Sequence, residues 1–241
     1  MNNSILITGG KSFIGKKLYE HLLNNTQDQI CLINRDSILK SNSTVKKFNI
    51  LVFISWDRKA DIENYNYLEY IKKTKLTNNP NIIFFSTISV YQDIKTGYPQ
   101  NKLNFETMLK NNYKNLHILR IGIIYGIYDY PAFYALKNFM KKIPFKLIFK
   151  KPIFELYLCY DNFLCNKIAK IIDTKNGAKN DVLINMYSEV VKFEDLYVKF
   201  NISKSLKLNF NLGFIRKFIT FLPINNLSSK FIILFSKINF K

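Results

Sequence analysis

The chain has 241 residues, of which 48% are hydrophobic and 22% are charged, and this composition predicts one large globular unit rather than a disordered or fibrous protein. The formal net charge of +19 rests on 36 basic residues, of which four are arginine. Since nucleic-acid sites favour arginine, we expect a solvated lysine surface and no nucleic-acid partner. The sequence lacks an apolar run of about 18 residues, so we expect no membrane-spanning helix.

The three cysteines, Cys31, Cys159 and Cys165, form no CxxC motif and have no metal-ligand spacing with a histidine. We therefore expect no metal site and a reducing, cytoplasmic location. The N-terminus has no basic segment, and its apolar run is too short for a signal peptide, which agrees with that location.

Residues 4–126 alternate short apolar runs with segments of helical periodicity. Continuous apolar strands between helices are typical of a parallel sheet that is covered on both faces, so the predicted fold class is α/β with a doubly wound sheet. The predicted strands are Ser4 to Thr8, Gln29 to Ile33, Ile50 to Ile54, Ile82 to Phe85 and Leu116 to Ile121, and the predicted helices are Ser12 to Asn24, Asp61 to Lys75 and Pro99 to Asn111.

After Gly126 this alternation weakens. The pattern predicts a strand that continues into a helix over 156–172, a strand over 182–185 and a helix over 193–200. We expect residues 1–126 to form one domain and residues 127–241 to form mostly a smaller lobe. The segment near 156–172 is expected to return to the core of the first domain.

The C-terminal segment, residues 201–241, contains seven basic residues and no acidic one. Its parts 213–222 and 227–235 have amphipathic helical patterns that suit an anionic membrane surface. Apolar helical faces more often pack in a core, so we favour packing on the smaller lobe and keep peripheral membrane contact as the alternative.

A glycine-rich turn, Thr8-Gly9-Gly10-Lys11-Ser12-Phe13-Ile14-Gly15, joins the first predicted strand to the first predicted helix. This is the context of a dinucleotide-binding turn: a glycine allows the tight turn, and the helix N-terminus offers N–H groups to a pyrophosphate. The predicted cofactor contacts in this turn are Gly9, Gly10, Ser12, Phe13, Ile14 and Gly15.

The second predicted strand ends in Ile33-Asn34-Arg35-Asp36. An acidic residue after this strand binds the ribose hydroxyls of NAD, whereas a nearby basic residue accommodates the 2′-phosphate of NADP. We expect NAD or NADP as cofactor, with contacts from Asn34 and Arg35. Arg35 favours NADP, and Asp36 is the argument for NAD.

A Tyr-x-x-x-Lys motif, Tyr98 to Lys102, begins the predicted helix after the fourth strand. Pro99 suits the first turn of a helix, and residues four apart lie on one helix face, so Lys102 should lie one turn beyond Tyr98. A free tyrosine titrates near pH 10, and a neighbouring ammonium favours its phenolate, so the pair can exchange a proton at neutral pH.

Four ordered motifs together resemble the extended short-chain dehydrogenase/reductase family, which includes sugar-nucleotide epimerases and dehydratases. The glycine turn matches Thr-Gly-Gly-x-Gly-Phe-Ile-Gly except at Ser12. The run from Phe84 to Tyr91 is similar to Ser-Ser-x-x-Val-Tyr-Gly, and Leu119 to Gly126 is similar to Leu-Arg-Pro-x-x-Val-Tyr-Gly. The resemblance is clear over residues 4–126 and implies a Rossmann-type NAD(P)-binding domain with a C-terminal substrate lobe.

The resemblance also implies roles for individual residues. Thr87 is placed at the catalytic Ser/Thr position, where it would hold the substrate oxygen, while Tyr98 and Lys102 would be both catalytic residues and cofactor contacts. Phe53-Ile54-Ser55-Trp56 stands where the family often has His-Leu-Ala-Ala. This alignment makes Ile54 and Ser55 further expected cofactor contacts, and the resemblance adds Ile121 of the Leu119 to Gly126 run. Glu106 stands where the family often has an acid.

Two regions depart from the family pattern. The stretch between Arg35 and the strand near Ile50 is shorter than usual and leaves out the usual third strand. The loop between Tyr91 and Tyr98 is also short, and Ile123 stands where many epimerases have a substrate-binding asparagine. These departures lie at the adenine and substrate ends of the expected site.

The implied activity is that of a bacterial, cytoplasmic NAD(P)-dependent enzyme acting on a nucleotide-activated sugar, in surface-polysaccharide biosynthesis. Dehydratases carry Asp-Glu directly after the catalytic Thr, whereas this chain has Ile88 and Ser89, so we expect an epimerase or a 4-keto reductase. The alternative is a catalytically idle NAD(P)-binding or membrane-associated scaffold protein. The sequence is compatible with a homodimer and does not decide the oligomeric state.

Overall fold

The computed structural model describes residues 3–34, 47–56, 76–91, 97–126, 130–144, 146–150, 155–173 and 182–211. Several expectations fall outside these ranges: the predicted helix over 61–75, Arg35, Asp36 and the two amphipathic segments after residue 211. Among the described helices, none is long and apolar enough to cross a membrane.

Eleven strands and five α-helices are present in these ranges. The strands are β1 (Ser4–Thr8), β2 (Gln29–Ile33), β3 (Phe48–Phe53), β4 (Leu76–Thr87), β5 (Leu116–Ile121), β6 (Ile123–Tyr125), β7 (Lys146–Lys150), β8 (Glu155–Tyr160), β9 (Val182–Met186), β10 (Glu189–Lys192) and β11 (Lys207–Asn211). The helices are α1 (Phe13–Asn25), α2 (Gly97–Asn112), α3 (Pro131–Lys142), α4 (Asp161–Asp173) and α5 (Leu196–Lys199), with short 3-10 turns at Ile88–Tyr91 and Phe193–Asp195.

The main sheet has six strands in the order β2-β1-β3-β4-β5-β9, and every neighbouring pair is parallel. The predicted α/β class with a doubly wound parallel sheet is therefore confirmed. The chain runs outward from β1 to β2 and then returns across β1 to β3, so the point of reversal lies beside β1. In open parallel sheets, ligands bind at the carboxyl ends of the strands next to this point.

Helices cover both faces of the main sheet. Successive side chains of a strand point to opposite faces, so a continuous apolar strand places apolar side chains on each of them. Ile5 and Ile7 pack with α1 and α4 in one core cluster. Leu6 lies between them in sequence and packs on the other face with Phe105 and Leu109 of α2.

A second group of elements forms its own core from residues beyond the main sheet. Strands β6, β8 and β10 form a three-stranded sheet, and β7 pairs with β11. Leu136 and Met140 of α3 pack there with Leu158 and Phe193. The division of the chain at residue 126 into a nucleotide-binding domain and a substrate lobe stays a prediction.

Helix α4 and strand β9 come after residue 126 but complete the first core. Leu164, Cys165, Ile168 and Ile172 of α4 pack against the main sheet. Strand β9 pairs along the whole of β5, from His117 opposite Val182 to Ile121 opposite Met186.

Candidate functional site

The glycine turn leaves β1 at the carboxyl edge of the main sheet. Gly9 has φ +86°, a left-handed conformation that favours glycine. The Gly10 N–H donates to the carbonyl of Ile33 at 3.0 Å, and the Ser12 N–H donates to the carbonyl of Gly9 at 2.8 Å. These bonds fold the turn back on itself and tie it to the end of β2.

Ser12, at the position where the family pattern has glycine, is the N-cap of α1. Its Oγ accepts a hydrogen bond from Gly15 N–H at 3.0 Å and donates to the Gly9 carbonyl at 2.8 Å. A side chain at Gly15 would collide with the Gly9 carbonyl. The serine thus holds the turn closed, and it occupies one of the N–H groups that a helix start otherwise offers to an anion.

Asn34 follows β2 and lies directly against the turn. A Cβ at Gly10 would come within 2.7 Å of Asn34 Oδ1 and 3.1 Å of Leu32 Cγ. Asn34 Oδ1 is itself buried and has no hydrogen-bond partner among the described residues. A buried acceptor without a donor is costly, so this oxygen suits a ligand hydroxyl at the place where the sequence predicts the adenine-side ribose.

Thr8 joins the ends of β1 and β3, a role that no pattern in the sequence indicated. Its side chain is fully buried, and Oγ1 accepts hydrogen bonds from Ile54 N–H at 3.0 Å and Ser55 N–H at 3.1 Å. A Cβ added at Gly9 would lie 3.3 Å from Ile54 Cβ. The predicted cofactor contacts Ile54 and Ser55 are therefore brought beside the glycine turn.

Tyr98 and Lys102 lie on one face of α2, as the spacing predicts. The helix begins at Gly97, two residues before the predicted start, so Tyr98 belongs to its first turn. Lys102 Nζ lies 6.0 Å from the centre of the Tyr98 ring. The structure thus brings the two proton-handling candidates together at the carboxyl edge of the sheet.

The ammonium of Lys102 is almost completely buried, with 2% of the residue exposed. Nζ donates a hydrogen bond to the Phe85 carbonyl at 2.6 Å. It also lies 4.1 Å from the centre of the Trp56 ring and 4.6 Å from that of Phe84. Trp56, which the sequence did not suggest as a site residue, therefore forms part of the surroundings of Lys102.

Thr87 is the last residue of β4, two positions after Phe85. Its Oγ1 accepts a hydrogen bond from Ser89 N–H at 3.2 Å. In the pairing of β4 with β5, Thr87 lies opposite Ile121. The candidate oxygen-binding residue and a candidate cofactor contact are therefore neighbours at the sheet edge.

A buried charge network lies behind these residues. Arg120 Nε and Nη2 donate to Glu106 Oε1 at 3.2 Å and Oε2 at 2.6 Å, and Ser86 Oγ donates to Oε1 as well. The Tyr91 ring lies 4.5 Å from the Arg120 guanidinium carbon. Burial alone lowers the pKa of Arg120, but its hydrogen bond and charge contact with Glu106 outweigh this and raise the pKa.

The members of this network are the chain neighbours of predicted site residues. Ser86 precedes Thr87, Arg120 precedes Ile121, and Glu106 lies one helical turn after Lys102. The general resemblance indicated an acid at Glu106, but its partners come from two strands and could not be identified from spacing. Among the described residues, no group of three or more His, Cys, Asp or Glu side chains could hold a metal ion.

No family model and no curated protein matches the sequence of this chain. Solved structures do match. A dTDP-4-dehydrorhamnose reductase from Bacillus anthracis in complex with NADP has 14% identity, a TM-score of 0.63, and coverage of 98% of this chain and 99% of the reductase.

Two further structures carry different activities. A mutant UDP-glucuronic acid 4-epimerase from Bacillus cereus, in complex with a fluorinated UDP-glucuronic acid and NAD, has 18% identity, a TM-score of 0.62, and coverage of 96% of this chain and 98% of the epimerase. A dTDP-glucose 4,6-dehydratase from Bacillus anthracis in complex with NAD has 13% identity, a TM-score of 0.59, and coverage of 87% of this chain and 84% of the dehydratase.

The chain has the fold of these enzymes. These enzymes are extended short-chain dehydrogenases/reductases, the group that the motifs resemble, and at 13% to 18% identity the likeness shows the fold alone for this chain. The likeness confirms the Rossmann-type α/β prediction. Reductase, epimerase and dehydratase share this fold, and so the choice among their reactions depends on the residues of the site.

Proposed function

We propose that this chain is an NAD(P)-dependent oxidoreductase or epimerase of a nucleotide-activated sugar, with Tyr98 as its acid and base. The observation that carries the proposal is the position of Tyr98 and Lys102. They share one face of α2 at the carboxyl edge of a parallel sheet whose first strand leads into a glycine turn.

The residues of the turn suit a dinucleotide. Gly10 has no side chain, which lets the turn pack closely against Asn34 and Leu32. The buried oxygen of Asn34 lacks a donor among the described residues and would bind a ribose hydroxyl, while Gly9, Ser12, Phe13, Ile14 and Gly15 would surround the pyrophosphate.

When bound, the nicotinamide supplies or accepts a hydride. The chain supplies the proton. Tyr98 would donate it to, or remove it from, the substrate oxygen that Thr87 holds, and the Lys102 ammonium favours the phenolate form of Tyr98 by its charge. Ile54, Ser55 and Ile121 would shape the wall of the site around the cofactor.

The residues after Thr87 favour an epimerase or a 4-keto reductase over a dehydratase. Elimination of water requires an acid and a base in addition to the tyrosine. Ile88 and Ser89 occupy the 3-10 turn where the family's dehydratases carry Asp-Glu, and Ile88 is buried. The likeness to enzymes of nucleotide sugars supports a nucleotide sugar as substrate, with surface-polysaccharide synthesis as the setting.

Calorimetric titration with NAD⁺, NADH, NADP⁺ and NADPH tests the cofactor part of the proposal. We expect micromolar binding of at least one form, with Arg35 as the reason to expect tighter binding of the phosphorylated pair. The absence of heat with all four forms would contradict it.

Turnover of a panel of UDP- and dTDP-activated sugars and their 4-keto forms tests the reaction. Tyr98→Phe should reduce turnover at least a hundredfold, the usual contribution of a positioned acid or base. Tyr134→Phe on α3 makes the same chemical change on an exposed surface and should leave turnover unchanged. Equal rates for the two variants would exclude Tyr98 as the acid and base.

A catalytically idle, nucleotide-binding scaffold is the second candidate. It is supported by Ser12, which occupies the Gly15 N–H, and by the aromatic surroundings of Lys102. This candidate predicts cofactor binding without turnover of any sugar in the panel. Its membrane-associated form also predicts that the full chain floats with anionic vesicles and that a chain ending at Asn201 does not.

A further inference from the structure

The indole of Trp56 covers the ammonium on which the proposed reaction depends. Trp56 follows the end of β3 and is the single tryptophan of the chain. Its ring centre lies 4.1 Å from Lys102 Nζ, inside the range of an attractive cation–π contact, for which tryptophan is the best aromatic partner. Phe84 presents a second ring at 4.6 Å.

These contacts use most of what an ammonium can offer. It has three N–H donors and no acceptor, and one donor already binds the Phe85 carbonyl at 2.6 Å. The rings of Trp56 and Phe84 also lie against the nitrogen, and Lys102 is only 2% exposed. A ligand oxygen that binds this ammonium therefore competes with the two rings for it.

Trp56 is held in place by its neighbours, but one atom of its ring has no hydrogen-bond partner among the described residues. Its ring packs edge-on against Phe105, with 5.1 Å between the centroids. Its Nε1–H, however, is buried and has no hydrogen-bond partner among the described residues. A buried N–H without an acceptor is unfavourable, so a movement that brings this group to a ligand oxygen or to water would be favoured.

The nicotinamide end of the dinucleotide must come to this place. Hydride and proton are delivered to the two ends of one carbonyl bond, so the reacting carbon of the nicotinamide lies within a few ångströms of the Tyr98 hydroxyl in any productive complex. Lys102 is one helical turn from Tyr98 and is itself an expected cofactor contact. The adenine end lies instead at Asn34 and the glycine turn.

We propose that Trp56 is a positioning residue that acts through Lys102: it holds the ammonium in the ligand-free protein and competes for it with the nicotinamide end of the dinucleotide. The inference rests on the proposed function. By this inference, Trp56 lowers the affinity for the whole dinucleotide. It does not lower the affinity for a ligand that binds only at the adenine end.

Two substitutions of Trp56 distinguish the effect of its aromatic face from the effect of its apolar volume. Trp56→Leu keeps an apolar side chain without a π face, whereas Trp56→Phe keeps a weaker face. Calorimetry is carried out with the oxidised dinucleotide that the wild type binds. Trp56→Leu should bind it roughly three- to thirtyfold more tightly, which is the range that the loss of a cation–π contact covers. Trp56→Phe should show a smaller gain in affinity. ADP, the adenine-end probe, should bind all three proteins equally.

The single tryptophan gives a spectroscopic reading of the same event. Oxidised dinucleotide does not absorb indole emission, so a change in the emission of the wild type on titration reports either movement of Trp56 or quenching by a nicotinamide in contact with it. We expect such a change with the oxidised dinucleotide and none with saturating ADP.

Each outcome bears on the inference. A Trp56→Leu protein that binds the dinucleotide no better than the wild type, or that gains equally for ADP, would overturn it, as would binding without a change in emission. In these cases the proposed function stands, because the dinucleotide binds. If none of the three proteins binds a dinucleotide, the proposed function fails as well. Urea midpoints of both variants confirm that they are folded.

Discussion

Arg120 and Glu106 form a two-point ion pair that is buried beneath the candidate site, with Arg120 Nη2 at 2.6 Å from Glu106 Oε2. The pair joins strand β5 to helix α2, and the hydrogen bond from Ser86 adds strand β4. Since Lys102 lies one turn from Glu106, this pair fixes the helix that carries Tyr98 against the strands that carry Thr87 and Ile121.

Removal of one partner of this pair should be far more costly than removal of both. Arg120→Met leaves the Glu106 carboxylate buried without its counter-ion, and we expect a loss of about 3–5 kcal/mol in the free energy of unfolding. The double variant Arg120→Met/Glu106→Leu should recover most of this loss, because no buried charge remains. Urea unfolding measures both. A double variant as unstable as the single one would contradict the assignment of the pair as a positioning element.

Gly126, at the end of the Val-Tyr-Gly-like motif, should not tolerate a side chain. A Cβ there would collide with the carboxyl group of Asp161, which is fully buried and accepts a hydrogen bond from the Tyr130 hydroxyl at 3.2 Å. We expect Gly126→Ala to destabilise the protein by about 1–3 kcal/mol.

Gly97 offers a matched control for the same substitution. Among the described residues, a Cβ at Gly97 meets only Asn101 Nδ2, at 3.9 Å, and alanine favours a helix more than glycine does. Gly97→Ala should therefore leave the urea midpoint unchanged or raise it. Equal losses for the two variants would mean that the packing at Gly126 is not the cause.

Ser12 should stabilise the free protein and weaken its binding of a dinucleotide. Its hydroxyl caps α1 through Gly15 N–H, so Ser12→Ala should cost about 1 kcal/mol of unfolding free energy, whereas Ser12→Gly should cost only a few tenths. Ser12→Gly also releases the Gly15 N–H for a pyrophosphate and should bind the dinucleotide more tightly in calorimetry. Weaker binding by Ser12→Gly would show that the hydroxyl itself contacts the ligand.

His117 should make the protein less stable as the pH falls. Burial lowers the pKa of His117 from its usual 6.5, and Nδ1 lies 3.1 Å from Asn81 Oδ1. The unfolded chain therefore binds more protons in this range, so stability is complete above about pH 6.5 and is lost as the pH falls through the lower folded-state pKa.

Urea midpoints measured between about pH 5 and 7 test this dependence. His117→Asn keeps a donor to Asn81 but cannot titrate, so its midpoint should vary less with pH than that of the wild type. His21 also has a lowered pKa, from burial and from the charge of Lys17, so His21→Asn is measured beside it. An unchanged slope in both variants would exclude the histidines as its source.

The strands with continuous apolar runs were the most predictable parts of the fold. β1, β2 and β5 have the predicted bounds, because in each of them an apolar run is closed by polar or glycine residues. The strand and helix over 156–172 and the last strand of the main sheet were also predicted. β6, β7, β10 and β11 were missed, since they are short and half-exposed or rich in lysine and asparagine, so no periodicity of two is visible in them.

The candidate site was predictable where a motif is local in sequence. The glycine turn and the Tyr98 and Lys102 pair occupy the expected positions, although their roles stay predictions. Thr8 and Trp56 were not identified because their contacts, with Ile54 and Lys102, depend on which strands become neighbours. A tryptophan in place of the family's usual alanine was the one available signal for Trp56.

The pairing of β9 with β5 sets the order in which this protein can be completed on the ribosome. Strand β5 is buried along its whole length, and its outer edge has no described partner until the chain has been made as far as Met186. A nascent chain that contains the glycine turn, Tyr98, Lys102 and β5 but not yet β9 therefore has an open, apolar strand edge, which favours aggregation or chaperone binding. A terminal deletion that removes β9 would reproduce this state permanently.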